Sequence, residues 1–228
     1  MPGEQLKLID EEHREADFGG RRLDWLVIAR STFDRCRFNG LRAKETSLGG
    51  GGAPSVFRDC TFDGVQITLP TLLLLRFERC TFRDAVMRKW ITNDVEFVDC
   101  VFSGDFRELT VAGTGERPNE ITGNDFRDAL MLGGGFRAGV DLGRQQLPSD
   151  PRHILISDPA TTLPAAYAAV REWPDRDQQL DARSVLNVLY QDFRGGQRQL
   201  LLCAGRRSGP EPANERLRDL IRQLVAGR

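Results

Sequence analysis

The sequence predicts a solenoid of short repeats followed by a non-repetitive C-terminal part, and three observations carry that reading. Four segments read Phe-x-x-Cys-x-Phe: Phe33/Cys36/Phe38, Phe57/Cys60/Phe62, Phe77/Cys80/Phe82 and Phe97/Cys100/Phe102. The last three are spaced by 20 residues, and the first interval of 24 contains the run Gly49-Gly50-Gly51-Gly52, so a four-residue insertion restores the period. A second period, of five, runs inside each 20-residue unit and stops after Gly143. Self-similarity at a fixed period of this size is the signature of stacked repeats.

Taking the bulky residue of each pentapeptide as its centre, the first series is Phe18, Leu23, Ile28, Phe33, Phe38, Ala43 and Leu48. After the insertion it continues through Phe57, Phe62, Ile67, Leu72, Phe77, Phe82, Met87, Thr92, Phe97 and Phe102; sixteen of these seventeen positions are apolar. Neither a helix nor a simple strand repeats every five residues. Two residues before the centre the side chain is often small, as at Ala16, Ser31, Cys36, Cys60, Cys80, Ala85 and Cys100. Units such as Ala16-Asp17-Phe18, Cys36-Arg37-Phe38, Cys60-Thr61-Phe62, Cys80-Thr81-Phe82 and Cys100-Val101-Phe102 resemble the pentapeptide-repeat family. The resemblance is strong over residues 16–104 and weak over 124–138. It implies a mainly β fold: a right-handed quadrilateral β-helix with four pentapeptides per coil, here joined to a small C-terminal domain, α/β or mostly helical.

Coils stacked at the strand spacing of about 4.8 Å turn the sequence into columns. Face 1 stacks Phe33, Phe57, Phe77 and Phe97; face 2 stacks Phe18, Phe38, Phe62, Phe82 and Phe102. Face 3 stacks Leu23, Ala43, Ile67 and Met87, and face 4 stacks Ile28, Leu48, Leu72 and Thr92. Each buried Phe contributes about 2–3 kcal/mol, so the Phe ladders hold the rod together. Cys36, Cys60, Cys80 and Cys100 form one inward column of small buried residues. A row of thiols is neither a tetrahedral metal cage nor a good disulfide geometry. Gly20, Gly40, Gly64 and Gly104 form a corner column that calls for positive φ, which Asp84 interrupts.

Outward residues separate the faces. On face 1 the columns read Asp34, Arg58, Glu78 and Arg35, Asp59, Arg79, Asp99, alternating in sign from coil to coil as in cross-strand pairing. Face 3 is mixed but net basic through Arg22, Arg42, Lys44, Arg88 and Lys89. Face 4 carries Val27, Ala29, Ser47, Thr71, Leu73, Leu74 and Ile91, with charge only at Arg30 and Asp94. An apolar face on a rod is expected to be covered, here by the C-terminal segment or by a second subunit.

The expected boundaries are a lead-in over 1–15, the β-helix over 16–142 with insertions near 49–55 and 105–123, a linker over 143–152, and a capping or dimerisation domain over 153–228. The repeat resumes after the second insertion with Phe126, Met131 and Phe136, and long excursions from a regular scaffold are where binding function often sits. In the last part, His153–Asp158 and Leu200–Ala204 read as strands. Leu163, Ala166, Tyr167 and Val170 read as a helix with Pro164 near its start. Ala182, Val185, Leu186, Leu189 and Phe193 mark a second helix stopped by Gly195-Gly196. Leu217, Leu220, Ile221, Leu224 and Val225 mark a third.

Composition bounds the function. With 32 basic and 33 acidic residues the net charge is −1, which gives no reason to expect direct nucleic-acid binding. No apolar run reaches the roughly 20 residues of a membrane span, and the start shows no secretory pattern, so a cytoplasmic protein is expected. Two His, no phosphate loop and no paired-thiol motif point to no metal and no cofactor. His153 and Cys203 have no visible catalytic partners, so the expected class is a non-catalytic binding protein that acts as a scaffold for a protein partner, with a homodimer through face 4 or the C-terminal domain as one arrangement. The candidate interface residues are Leu69, Leu73, Leu74 and Ile91 on or beside face 4, with Arg107, Glu116 and Arg117 in the second insertion. A weaker architectural similarity, to the gyrase-binding, quinolone-resistance subgroup of the same family, implies the alternative of a DNA-mimicking modulator of a type II topoisomerase. Such mimicry requires a continuous acidic stripe, whereas residues 16–142 carry 17 cations against 18 anions and face 1 alternates.

Overall fold

A computed structural model describes residues 4–114, 118–203 and 211–227. The repeat folds as a parallel β-solenoid of about six turns, because successive centres point inward and each coil hydrogen-bonds to the next in register. Face 1 runs His13, Phe33, Phe57, Phe77, Phe97, Ile121. Face 2 runs Phe18, Phe38, Phe62, Phe82, Phe102, Phe126. Face 3 runs Leu23, Ala43, Ile67, Met87, Phe106, Met131. Face 4 begins at Leu8 and Ile28, and ends at Thr92, Val111 and Phe136.

The two aromatic columns form the centre of the core. Phe33, Phe57 and Phe77 stack with centroids 4.8 Å apart and planes within 10°. On face 2, Phe38 and Phe62 stack at 4.8 Å and 4°, and Phe102 and Phe126 at 4.5 Å and 7°. Across the coil each Phe meets its neighbour on the next face edge-on, as for Phe57 and Phe62 at 5.4 Å and 72°. Both arrangements suit the ring quadrupole. Thr92, the one polar centre expected, is buried and satisfied: its Oγ1 donates to the Thr110 carbonyl at 3.0 Å. The residue two after a centre turns the corner in the left-handed region. Gly20, Gly40 and Gly64 have φ of 66–68°, and Asp84 holds the same corner at 51° rather than breaking it.

Three expected boundaries change. The lead-in is already solenoid: Gln5–Ile9 pairs with the strand of Ile28 and Glu12–Arg14 with that of Phe33. The excursion expected over 105–123 shrinks to the stretch between Ala112 and Glu120. The step from Phe102 to Phe106 takes four residues instead of five, and strand Val101–Arg107 runs unbroken through the corner at Gly104, φ 100°. Ile121 then follows Phe97, and Phe126 lies on Phe102 instead of on face 1. The supposed linker adds part of another turn, with Gly123 N donating to Arg144 O and Phe126 N to Gln146 O, at 2.9 and 2.8 Å.

The C-terminal part holds strand Ile154–Ile156 antiparallel to Leu200–Leu202 and three helices: α1 (Pro159–Arg171), α2 (Arg176–Arg194) and α3 (Glu211–Ala226). Ala204, expected to end the second strand, lies outside the described residues. Helix α1 starts earlier than its apolar spacing suggested. Asp158 caps it by accepting from Thr161 N, Pro159 takes the first turn, and Pro164 lies inside. Leu163, Ala166, Val170, Ala182, Leu186, Leu217 and Ile221 share a core with both strands. None of the helices among the described residues is long and apolar enough to cross a membrane.

The described residues of this unit pack on the end of the solenoid, and Leu69, Leu73 and Ile91 of face 4 stay exposed, contrary to the first of the two covers expected. Leu201 and Cys203 join the solenoid core. Gln197 accepts from Gly139 N at 3.1 Å and donates to Val140 O at 2.8 Å, while Arg137 pairs with Asp192 at 3.0 Å. His153, buried, sits with Nε2 3.2 Å from both the N and O of Met131. Terminal repeats need such protection because their backbone edge is otherwise open.

Two outcomes follow. Phe77→Ala should cost about 3–5 kcal/mol in urea unfolding, whereas Arg79→Gln on the solvent side should hardly move the midpoint. Burial holds the His153 imidazole below its ordinary value of 6.5, so the unfolded chain takes up more protons there than the folded one. Stability should therefore be fully present above pH 6.5 and fall as the pH drops below it. Melting temperatures at neutral and mildly acid pH should show that fall, and His153→Gln should reduce it.

Candidate functional site

Strand alternation builds the candidate surface on face 4. In Thr71–Leu73 the centre Leu72 points inward, so Thr71 and Leu73 point out; Thr92 likewise sends Ile91 outward. Leu73 is 45% exposed and Ile91 57%. Leu69 and Leu74 occupy left-handed corners on either side, both at φ 52°; Leu69 is 67% exposed and Leu74 half-buried. Toward the first coils the strip continues through Val27 and Ala29 to Ile9, with Trp25 exposed at the neighbouring corner under the Lys7 ammonium, 5.6 Å from its ring.

Both excursions leave the solenoid at one corner, between face 4 and face 1. Residues 49–54 join Leu48 to the strand of Phe57, and residues 113–119 join Val111 to Ile121. They are three coil steps apart, about 14 Å along the rod. Gly49 enters the first with φ 81°, and a Cβ there would lie 1.7 Å from the Leu73 carbonyl oxygen, so only glycine lets the chain pass. Asn119 ties down the second by donating to Asn93 O and Ala112 O, at 2.5 and 2.9 Å. The result is an apolar strip with Lys7 at its first-coil end, bordered on one edge by two loops.

The charged faces differ in kind. Arg35 reaches Glu15 at 2.9 Å, Arg58 reaches Glu78 at 3.1 Å and Arg79 reaches Asp59 at 2.7 Å, each across one coil. Arg76 binds Glu96 at 2.7 Å and Glu120 at 2.9 Å, and also Glu78. The Arg79 hydrogen bond holds the Asp59 carboxyl below the usual carboxylate range, and Arg30 does the same for Asp10. These acids are matched by arginines, so the surface reads as a patchwork of both signs.

The interior offers no reactive group. The Sγ atoms of Cys60, Cys80 and Cys100 each donate to the Phe carbonyl of the coil below, Phe33, Phe57 and Phe77, at 3.4–3.5 Å. Asn124 continues the column, donating to Phe97 O at 2.9 Å. Burial pushes the Cys36 and Cys80 thiols up, and the contact with Cys80 together with burial pushes Cys60 up. They therefore stay protonated and bridge coils as weak donors. Cys203 is buried as well, and no group of three metal-ligating side chains occurs among the described residues.

Of the residues singled out from sequence, Leu69, Leu73, Leu74 and Ile91 come together on face 4 and its corners. Arg107 does not join them: it continues strand Val101–Arg107 on face 3, opposite Arg88. Glu116 and Arg117 lie outside the described residues. Ile9 and Trp25 were missed. Ile9 follows the inward Leu8 by one residue, but His13 at the next centre interrupts the apolar series that starts at Phe18.

No protein-family model matches the chain, and no curated protein matches it. Among solved structures it is similar to a trypsin-treated variant of QnrB1, a plasmid-mediated fluoroquinolone resistance protein. The identity is 18% over 62% of this chain and 77% of that one, with a TM-score of 0.30.

All five thiols should resist a disulfide reagent in the native protein and react together once denaturant unfolds the core. Rapid native labelling of any of Cys36, Cys60, Cys80 or Cys100 would contradict the bridging role.

Proposed function

We propose that this chain is a non-catalytic binding protein whose solenoid holds a protein partner. The observation that carries the reading is the uncovered strip of Leu69, Leu73 and Ile91 beside two loops that share a corner. Exposed contiguous apolar surface of this kind marks interaction sites, and a β-solenoid supplies a rigid frame that neither closes over it nor shifts. The partner covers the strip; a second copy of the chain, through face 4 or the C-terminal unit, is the simplest such partner. The test is the double variant Leu73→Glu with Leu74→Glu. It should melt within a few degrees of the wild type while changing oligomeric state in sedimentation, or losing a protein captured by the wild type. An unchanged oligomer and an unchanged capture would remove face 4 as the interface.

The layout of two loops on one edge of an end-capped solenoid supports a second reading. In it the protein modulates DNA gyrase as a DNA mimic and confers quinolone-type resistance or self-protection. The paired arginines work against an unbroken acidic band, so the two readings predict different outcomes in a supercoiling assay with purified gyrase, with and without a quinolone. Inhibition or protection at micromolar protein supports mimicry; the absence of both rejects it.

A further inference from the structure

Face 3 departs from the charge rule that the other faces obey. Elsewhere an outward arginine meets an acid one coil away, as Arg30 meets Asp10 at 2.5 Å, Arg37 meets Asp17 at 2.9 Å and Arg83 meets Asp63 at 3.6 Å. On face 3, Arg22 lies in register with Arg42, and Arg88 with Arg107. Of the nearby acids, Asp24 holds Lys44 at 2.6 Å and Asp105 lies 4.0 Å from Arg107, while Glu45 stands at the next corner, opposite Trp25. Among the described residues no ion pair reaches Arg22, Arg42 or Arg88. Like charges directly opposite each other in a sheet destabilise it, so this arrangement costs the free protein something that an anionic partner would return.

The three arginines also share a cavity. Together with Lys44, Gln66, Thr68 and Val86 they line an open groove of about 400 Å³ whose floor includes Leu23 and Ala43. We infer that this groove docks an extended, carboxylate-rich segment of a protein partner. Arg22 and Arg42 stand in one column, and Arg88 stands three coils beyond Arg22 in the neighbouring column with Lys44 and Thr68, so the cations span about 14 Å along the rod. An extended chain repeats side chains on one side every two residues, about 6.8 Å, so acids at three alternate positions cover the same length. Guanidinium groups pair with carboxylates through two parallel hydrogen bonds, which favours arginine at such a site. A nucleic-acid strand fits less well. No aromatic side chain lines the groove to stack a base, and the chain as a whole carries a net charge of −1. This site is separate from the face 4 strip and adds a partner chemistry to the binding role proposed above.

The test is fluorescence polarisation on the full chain with three labelled probes: a short peptide of alternating Glu and Ala, the same peptide with Gln for Glu, and an oligothymidine. The Glu peptide should bind about tenfold or more tighter than the Gln peptide and weaken as salt rises. The double variant Arg22→Gln with Arg42→Gln, and the single variant Arg88→Gln, should each lose that preference. The Leu73→Glu, Leu74→Glu variant should keep it, which separates failure here from failure of the face 4 interface. Removing a like-charge contact should hold or raise the melting temperature of the double variant, by about 1–3 °C. Equal binding of both peptides, unchanged binding by the arginine variants, tighter binding of oligothymidine through the same arginines, or a melting temperature that falls would each overturn the inference.

Discussion

The spacing of a parallel β-ladder and the stacking distance of a phenyl ring nearly coincide, and the solenoid depends on that coincidence. Coils bonded through their backbones repeat at about 4.8 Å, and Phe33, Phe57 and Phe77 stack face to face at 4.8 Å. Neither the backbone nor the rings must stretch to suit the other. A second ladder on face 2 meets the first edge-on, so every coil adds two aromatic rings to one continuous stack. The cysteine column sits beside it because the space left between two such ladders is small. A thiol fills that space and reaches the carbonyl below, and in the last coil Asn124 takes the same place and makes the same contact with its amide.

Register at a fixed spacing makes the surface as ordered as the core. Each outward side chain has its main neighbours one coil above and one below, usually 20 residues away, so the chemistry of a face is decided column by column. Faces 1 and 2 match arginine with acid, face 4 is mainly apolar, and face 3 sets arginine against arginine. A rod with such distinct sides presents a different chemistry in each direction without any moving part.

A solenoid must end, and its two ends are handled differently. At the first coil His13 takes the next place in the face 1 ladder, stacked on Phe33 at 5.3 Å, with Nε2 held 2.7 Å from Glu11 Oε2. A polar ring thus stands in the aromatic column at the first described coil. At the other end a helical unit closes over the last coil through Leu201, Cys203, Gln197 and His153. Burial favours the neutral imidazole at that joint, so the cap and the pH response of the fold share one residue.

The residue pattern alone tells which side chains point inward wherever a step takes five residues. That rule placed both Phe ladders, the cysteine column and the glycine corners, and it picked out Leu73 and Ile91 as outward on a neutral face. It failed where the step or the residue type departed from the pattern. Phe106 arrives after four residues, and His13 occupies an apolar position; both are recognised only by the coil they pair with. The sharing of one corner by both loops, and the docking of the C-terminal unit on the end rather than on face 4, were decided by the tertiary structure. Those arrangements rest on contacts such as Gln197 with Gly139 and Val140, or Asp192 with Arg137. The residues involved are far apart in sequence and follow no period, so only the folded chain brings them together.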